Sequence, residues 1–214
     1  MKPPRVKICG ITRLDDASLA VELGASAIGF VLWPQSPRVV TPPVARRIAE
    51  SVPPFVTRVG VFVDQSPDEI AAMISEIRLD AVQIHGNVSI DAYRGLPARL
   101  VRAVALEHDD ALRSVESLPA QITVLVDAAD AVRWGGTGRH ADWQRAATLA
   151  RRRPTILAGG LTAENVGAAI DAVHPWAVDV SSGVESAPGI KDADRMRRFF
   201  DAVQHRSHTK TVIG

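Results

Sequence analysis

Short β-branched runs recur along this chain, each followed by a polar or glycine-rich turn and then by an alanine- and leucine-rich stretch with helical spacing. That alternation predicts parallel strands joined by crossover helices. The strands read as Arg5–Ile8, Ala27–Val31, Thr57–Val63, Ala81–Ile84, Leu100–Ala105, Ile122–Val126, Thr155–Ala158 and Ala177–Val180, and the clearest helices as Leu14–Leu23, Val44–Ser51, Pro67–Ile77, Asp142–Arg151, Ala163–Ala172 and Asp192–Gln204. Eight β/α units fit an α/β fold of the (β/α)8 TIM-barrel type, whose usual size is ~250 residues. An open doubly wound sheet is the competitor, because periodicity alone does not reveal closure. The count of eight favours the barrel, as a single compact domain over residues 1–205. Residues 206–214 lack periodicity and are expected to form a mobile tail. Thr12, with Asp15 three residues on, is expected to cap the first helix, and Thr162 the helix beginning at Ala163.

In a barrel of this type the active site lies at the carboxyl ends of the strands. The residues there carry chemistry: Cys9 after the first strand, His85-Gly86 after the fourth, Asp127 after the sixth, Gly159-Gly160 after the seventh and Ser181-Ser182-Gly183 after the eighth. Cys9 is the sole cysteine, so it forms no internal disulfide and no thiolate cluster for zinc. Its competing role is that of a small buried hydrophobe.

Charge narrows the choice of ligand. Lys plus Arg number 25 against 24 for Asp plus Glu, a net +1, which gives a nucleic-acid or membrane partner no electrostatic footprint. No apolar run approaches the ~20 residues that span a bilayer, and there is no signal-peptide pattern. A small molecule in the cytoplasm is the expected setting, with the chain a monomer or homodimer.

Two strand-to-helix turns point to a phosphate. Leu157-Ala158-Gly159-Gly160-Leu161-Thr162 and Asp179-Val180-Ser181-Ser182-Gly183 both run through glycine into a helix start, exposing backbone N–H groups on neighbouring strands. Gly159, Gly160, Ser181, Ser182 and Gly183 are therefore the phosphate-binding candidates. Tight turns alone would also use these glycines. Gly135-Gly136-Thr137-Gly138-Arg139 lacks the P-loop spacing and reads as a loop over the site, or as an ordinary turn.

Asp127 ends a strand made for burial, so desolvation is expected to raise its pKa and suit it to acid work. Cys9 needs the opposite shift to act as a base. Strand alternation puts Lys7 on its face, where an ammonium would favour the thiolate. Lys7, Gln83 and Asp179 could instead form a buried polar layer, with Asp179 partnering Lys7. His85 faces inward either as an acid or base or as a hydrogen-bonded structural group. Arg38, in Ser36-Pro37-Arg38, could fork onto a substrate carboxylate or lie solvated at the surface.

The segments Lys7-Ile8-Cys9-Gly10-Ile11-Thr12, Ser36-Pro37-Arg38, Gly60-Val61-Phe62-Val63, Gln83-Ile84-His85-Gly86, Gly135-Gly136-Thr137-Gly138, Asp142-Trp143, Leu157-Ala158-Gly159-Gly160-Leu161, Asp179-Val180-Ser181-Ser182-Gly183-Val184-Glu185 and Pro188-Gly189-Ile190-Lys191-Asp192 together resemble the phosphoribosylanthranilate isomerases of tryptophan biosynthesis. The resemblance runs nearly the whole chain in order. It implies a (β/α)8 barrel catalysing an Amadori rearrangement without cofactor or metal, with Cys9 as general base and Asp127 as general acid. It also implies phosphate at Gly160, Ser182 and Gly183, the anthranilate carboxylate at Arg38, and His85 and Gly136 as further substrate contacts. Ala141 and the Leu32-Trp33 pair depart from the family's usual aromatic residues. A related histidine-pathway sugar isomerase is the second reading, which implies an aspartate where Cys9 stands and a second phosphate site. A non-catalytic phosphate-binding barrel is the third, and retention of both Cys9 and Asp127 speaks against it.

Overall fold

Strands β1 (Arg5–Ile8), β2 (Ala27–Val31), β3 (Thr57–Phe62), β4 (Ala81–Ile84), β5 (Arg99–Val104), β6 (Thr123–Asp127), β7 (Thr155–Ala158) and β8 (Ala177–Val180) form one closed parallel barrel in sequence order. Helices α1 (Leu14–Glu22), α2 (Pro42–Ser51), α3 (Pro67–Ile77), α4 (Gly138–Ala150), α5 (Val166–Val173) and α6 (Ala193–His205) pack around it. This computed structural model describes residues 3–86, 88–106, 112, 115, 117–127 and 138–205, with the backbone alone at 138–142 and 205. The expected tail at 206–214, and Gly135, Gly136 and Thr137 of the glycine segment, lie outside the described residues.

Alternation along each strand divides the core. Ile8, Ile28, Phe30, Phe62, Val82, Val124, Leu157 and Val178 point outward and bury against the helices. Val101, Ala103, Leu125, Ile156, Ala158 and Ala177 form a smaller apolar cluster on the inward faces. The barrel closes between β1 and β8, where Lys7 stands opposite Asp179 in the register.

Most element ends fall within a residue or two of expectation, and the exceptions have local causes. β6 includes Asp127, so the carboxylate is the last residue of a paired strand and lies opposite Ala158. α5 begins at Val166 rather than Ala163 because the preceding residues close a turn of their own. In that turn Thr162 N donates to Asn165 Oδ1 (2.8 Å), Glu164 N to Thr162 Oγ1 (3.3 Å), and Asn165 Nδ2 to Gly160 O (2.8 Å). Thr12 does not cap α1. Arg13 stands at that cap without a side-chain capping hydrogen bond, and Thr12 Oγ1 donates instead to Gly189 O at 2.5 Å. α4 starts at Gly138, four residues ahead of the expected Asp142. After β4 the described backbone makes only a single 3₁₀ turn, Ile90–Tyr93.

After β8 the chain makes one 3₁₀ turn (Ser182–Val184) and a small antiparallel hairpin, β9 (Glu185–Ala187) and β10 (Ile190–Lys191), before α6. The 3₁₀ turn lies hard against the loop after β7. A Cβ on Gly183 would fall 1.9 Å from Leu161 O and 2.9 Å from Leu161 C, both backbone atoms. Another fastening sets the approach to β6. Arg153 donates to the carbonyls of Val115, Leu118, Pro119 and Ile122 at 2.6–3.2 Å.

Gly183→Ala must separate the two loops and is expected to lower stability by about 1–3 kcal/mol. Arg153→Met, which strands four carbonyls, is expected to cost about 1–3 kcal/mol. Urea midpoints test both, and a midpoint equal to that of the unsubstituted chain would refute the packing ascribed to that residue.

Candidate active site

The closing register of β1 and β8 builds the floor of the site. Lys7 Nζ and Asp179 Oδ1 lie 2.9 Å apart with both side chains buried. The ion pair that the inward lysine required is therefore present. Desolvation works to lower the Lys7 pKa, but Asp179 and the adjacent Cys9 outweigh it and hold Lys7 above its ordinary value.

Cys9 sits one turn of alternation above Lys7, 8% exposed, with its N–H donated to Val180 O (2.8 Å). Its space exists because residue 29 is glycine. A Cβ there would lie 2.9 Å from Cys9 Sγ and 3.1 Å from Lys7 Nζ. Gly10, at φ +73°, serves the same purpose on the other side, since a Cβ would meet Arg38 Cδ at 2.9 Å and Ser181 Oγ at 3.0 Å. The lowering of the thiol expected from Lys7 does not prevail. Burial raises the Cys9 pKa, Lys7 opposes it, and the net direction is upward.

Asp127 and His85 occupy the far side of the mouth, on β6 and after β4. The Gln83 amide nitrogen lies 2.6 Å from His85 Nε2. Burial lowers the His85 pKa although the Asp127 carboxylate pulls the other way, so the ring is neutral at pH 7. Gln83 Oε1 has no partner among the described residues, and exchanging the two ends of the amide would place it on an Nε2–H. Gln83 is buried, as are Lys7 and Asp179, but its hydrogen bond goes to His85 rather than to that ion pair.

Arg38 is neither solvated nor free. Its Nε donates to both oxygens of Glu185 (3.0 Å each) and Nη2 to Oε2 (2.7 Å), while its backbone N–H is fixed by Ser36 Oγ (3.1 Å). Nη1 is not part of that fork. Glu185 also receives Lys191 Nζ at 2.8 Å, and Lys191 reaches on to the carbonyls of Cys9 (2.5 Å) and Ser181 (3.4 Å). Burial works to raise the Glu185 pKa, but the hydrogen bonds of Arg38 and Lys191 outweigh it and keep the carboxyl below its usual range. Glu185 and Lys191 fall within two of the segments that carry the family resemblance, but the sequence assigns neither of them a role, and nothing local to them records their burial or their contact.

The loops after β7 and β8 enclose a cavity of about 480 Å³ lined by Gly160, Thr162, Ala163, Glu164, Ser182, Gly183, Arg195 and Arg198. Gly160, Ser182 and Gly183 therefore come together as expected. Gly159, at φ +95°, shapes the turn behind them, and the Ser181 hydroxyl is directed to Glu185 Oε1 at 3.4 Å. Neither residue lines the cavity. Arg195 and Arg198 add two cations, spaced three apart on one face of α6, opposite the single carboxylate of Glu164. Their spacing was visible in the sequence, but the closeness of α6 to this loop was not. Gly136 lies outside the described residues. Among the described residues no group of three His, Cys, Asp or Glu side chains could hold a metal, and no helix is long and apolar enough to cross a membrane.

The chain as a whole has close relatives. A family model described as N-(5'phosphoribosyl)anthranilate (PRA) isomerase matches residues 6–202. The N-(5'-phosphoribosyl)anthranilate isomerase of Chromohalobacter salexigens is 47% identical over 207 residues, 96% of each chain. A crystal structure of phosphoribosyl anthranilate isomerase in complex with reduced 1-(o-carboxyphenylamino)-1-deoxyribulose 5-phosphate superposes with a TM-score of 0.84 at 40% identity, covering 94% of this chain and 99% of the other. A second structure, of monomers generated from the dimeric enzyme of Thermotoga maritima, gives a TM-score of 0.81 at 38% identity over the same shares. With the family model matched over almost its whole length, this chain belongs to the N-(5'-phosphoribosyl)anthranilate isomerase family.

Proposed function

We propose that this chain converts N-(5-phosphoribosyl)anthranilate to 1-(2-carboxyphenylamino)-1-deoxyribulose 5-phosphate, with Cys9 as general base and Asp127 as general acid. The observation that carries this reading is the placement of a thiol and a carboxyl on separate walls of one barrel mouth, beside a cavity lined by Gly160, Ser182, Gly183 and two arginines. Asp127 gives its proton to the ribose ring oxygen, the C1–O bond opens, and a Schiff base forms with the anthranilate nitrogen. Cys9 then removes the C2 proton, and the resulting enolamine tautomerises to the ketone. The isomerisation is redox-neutral overall and calls on no group beyond these side chains.

The substrate's anionic ends account for the remaining contacts. The phosphate takes the backbone N–H groups around Gly160, Ser182 and Gly183, with Gly159 and Ser181 shaping those turns. The anthranilate carboxylate takes the part of the Arg38 guanidinium outside its Glu185 fork. His85, being neutral, serves as a substrate hydrogen-bonding group, and Gly136 as a contact from the segment between β6 and α4. The single thiol fits a reducing cytoplasm.

Assembly as a homodimer is the companion proposal. At the amino end of the barrel Phe55 is fully exposed at φ +76°, beside a cavity of about 290 Å³ lined in part by Val59, Val101, Ile156 and Trp176. A protruding aromatic ring next to an apolar recess is self-complementary about a twofold axis, and a relative of the same family is dimeric.

Loss of substrate fluorescence measures turnover. Cys9→Ala and Asp127→Asn should each reduce kcat by at least ~10²-fold with folding intact, and a folded, unsubstituted chain without turnover would overturn the reading. Because burial raises the thiol, the base form appears only as pH climbs. The rising limb of kcat/KM in the free enzyme should therefore lie above the ordinary thiol value of 9.0 and disappear in Cys9→Ser; an identical limb in that variant would assign the base elsewhere. Phe55→Glu should convert dimer to monomer in analytical ultracentrifugation, and a monomeric unsubstituted chain would end the assembly proposal.

A further inference from the structure

Glu185 is the junction of the mouth. Its two buried oxygens accept three hydrogen bonds from Arg38, one from Lys191, one from the Ser181 hydroxyl and one from Gly189 N–H at 3.3 Å. Lys191, whose side chain is wholly buried, continues from that carboxylate to the backbone carbonyl of Cys9 itself. Asp16 Oδ2 accepts the Lys191 backbone N–H at 3.1 Å and fixes the hairpin from the side of α1. A structural tie between β1 and the hairpin would need no charge. A buried ammonium and carboxylate carry a desolvation cost that a well-packed apolar pair avoids.

The charges around the thiol suggest what that cost achieves. Lys7 on the same strand and Asp179 on β8 cancel each other. Arg38 from the loop after β2, Glu185 from β9 and Lys191 from β10 sum to one net positive charge. His85 is neutral, and Asp127 faces it from β6. Asp16 at the Lys191 N–H and Arg195 at the Glu185 carbonyl add one charge of each sign, so the thiol sees one uncancelled cation on the hairpin side, held in place through Glu185.

We infer that Glu185 and Lys191 are positioning residues that hold the backbone of Cys9, fix the Arg38 fork and keep one net positive charge beside the thiol. Neither touches the reacting atoms. The role given to Arg38 and Cys9 rests on the proposed function, whereas the charge beside the thiol can be measured without substrate.

Because Cys9 is the sole cysteine, the ultraviolet absorbance of its thiolate titrates one group, with Cys9→Ser as the blank. Glu185→Gln leaves two net positive charges and should move the thiol titration down by roughly one pH unit. Lys191→Met leaves none and should move it up by a similar amount. The double variant Glu185→Gln/Lys191→Met restores the net charge and should return it close to the original midpoint. Shifts of one sign, or no shift in folded protein, would overturn the inference. Should one single variant fail to fold, the other single variant against the double variant decides the same point. Kinetics test the Arg38 half: Glu185→Gln should raise KM about tenfold, and Arg38→Ala added to it should raise KM little further, since both act on one anchor. Fully additive losses would refute that half. If Cys9→Ala proved fully active, the reading of the reaction would fail while the titration result stood.

Discussion

The buried pair of Lys7 and Asp179 is the constraint around which this site is built. A barrel closes only where its first and last strands meet in one register, and a one-residue slip would turn every inward side chain outward. Lys7 and Asp179 stand opposite each other at that seam, 2.9 Å apart. Leaving either without its partner costs about 3–5 kcal/mol, a large part of a domain's ~5–15 kcal/mol of stability. The pair thus discriminates strongly against any other closure. The correct closure also places Cys9 beside Ser181, two positions above on each strand, so that the thiol and the loop after β8 share one seam.

Glycine determines what can fit above that floor. Gly29 leaves room for both Cys9 Sγ and Lys7 Nζ, and Gly10 lets Arg38 and Ser181 approach Cys9 from the loops. Gly183 lets the 3₁₀ turn after β8 rest on Leu161. Each of these residues carries no chemistry, yet a methyl group at any of them would collide with an atom the site needs. Three loops are drawn together in this way, and the hairpin of Glu185 and Lys191 fastens two of them by charge.

The strands and the residues ending them were legible because period-two burial and terminal polar residues are local patterns. Five of the eight strands, counting from β1 to β8, keep the expected limits, and the others shift by a residue or two. Helix starts were less legible. Thr12 has the composition of a cap, but a tertiary acceptor, Gly189 O, takes its hydroxyl. Thr162 caps a preceding turn rather than α5. The sequence leaves Arg38 open between a substrate fork and a surface residue and shows nothing of its partner, because Glu185 is 147 residues away and nothing local records that contact. The Cys9 thiol shows the same limit: alternation places Lys7 where it can favour the thiolate or join a buried polar layer, but burial, a property of the whole fold, outweighs Lys7.

That upward direction at Cys9 is compatible with the general-base role proposed for it. A thiol of higher pKa is ionised less often at a given pH, but its thiolate takes a proton from carbon more readily, so scarcity and strength offset each other. The dangerous case is a bound substrate with a phosphate and a carboxylate, whose negative charges would raise the thiol further and leave it permanently protonated. Here the cations are arranged against that outcome. Arg195 and Arg198 stand at the cavity beside Gly160 and Gly183, Arg38 stands at the loop after β2, and Lys191 lies directly behind Cys9. On the proposed function, each anionic end of the substrate would have a cation near it. In that arrangement the thiol would keep the positive charge inferred for the hairpin side, because the Lys191 side chain is wholly buried.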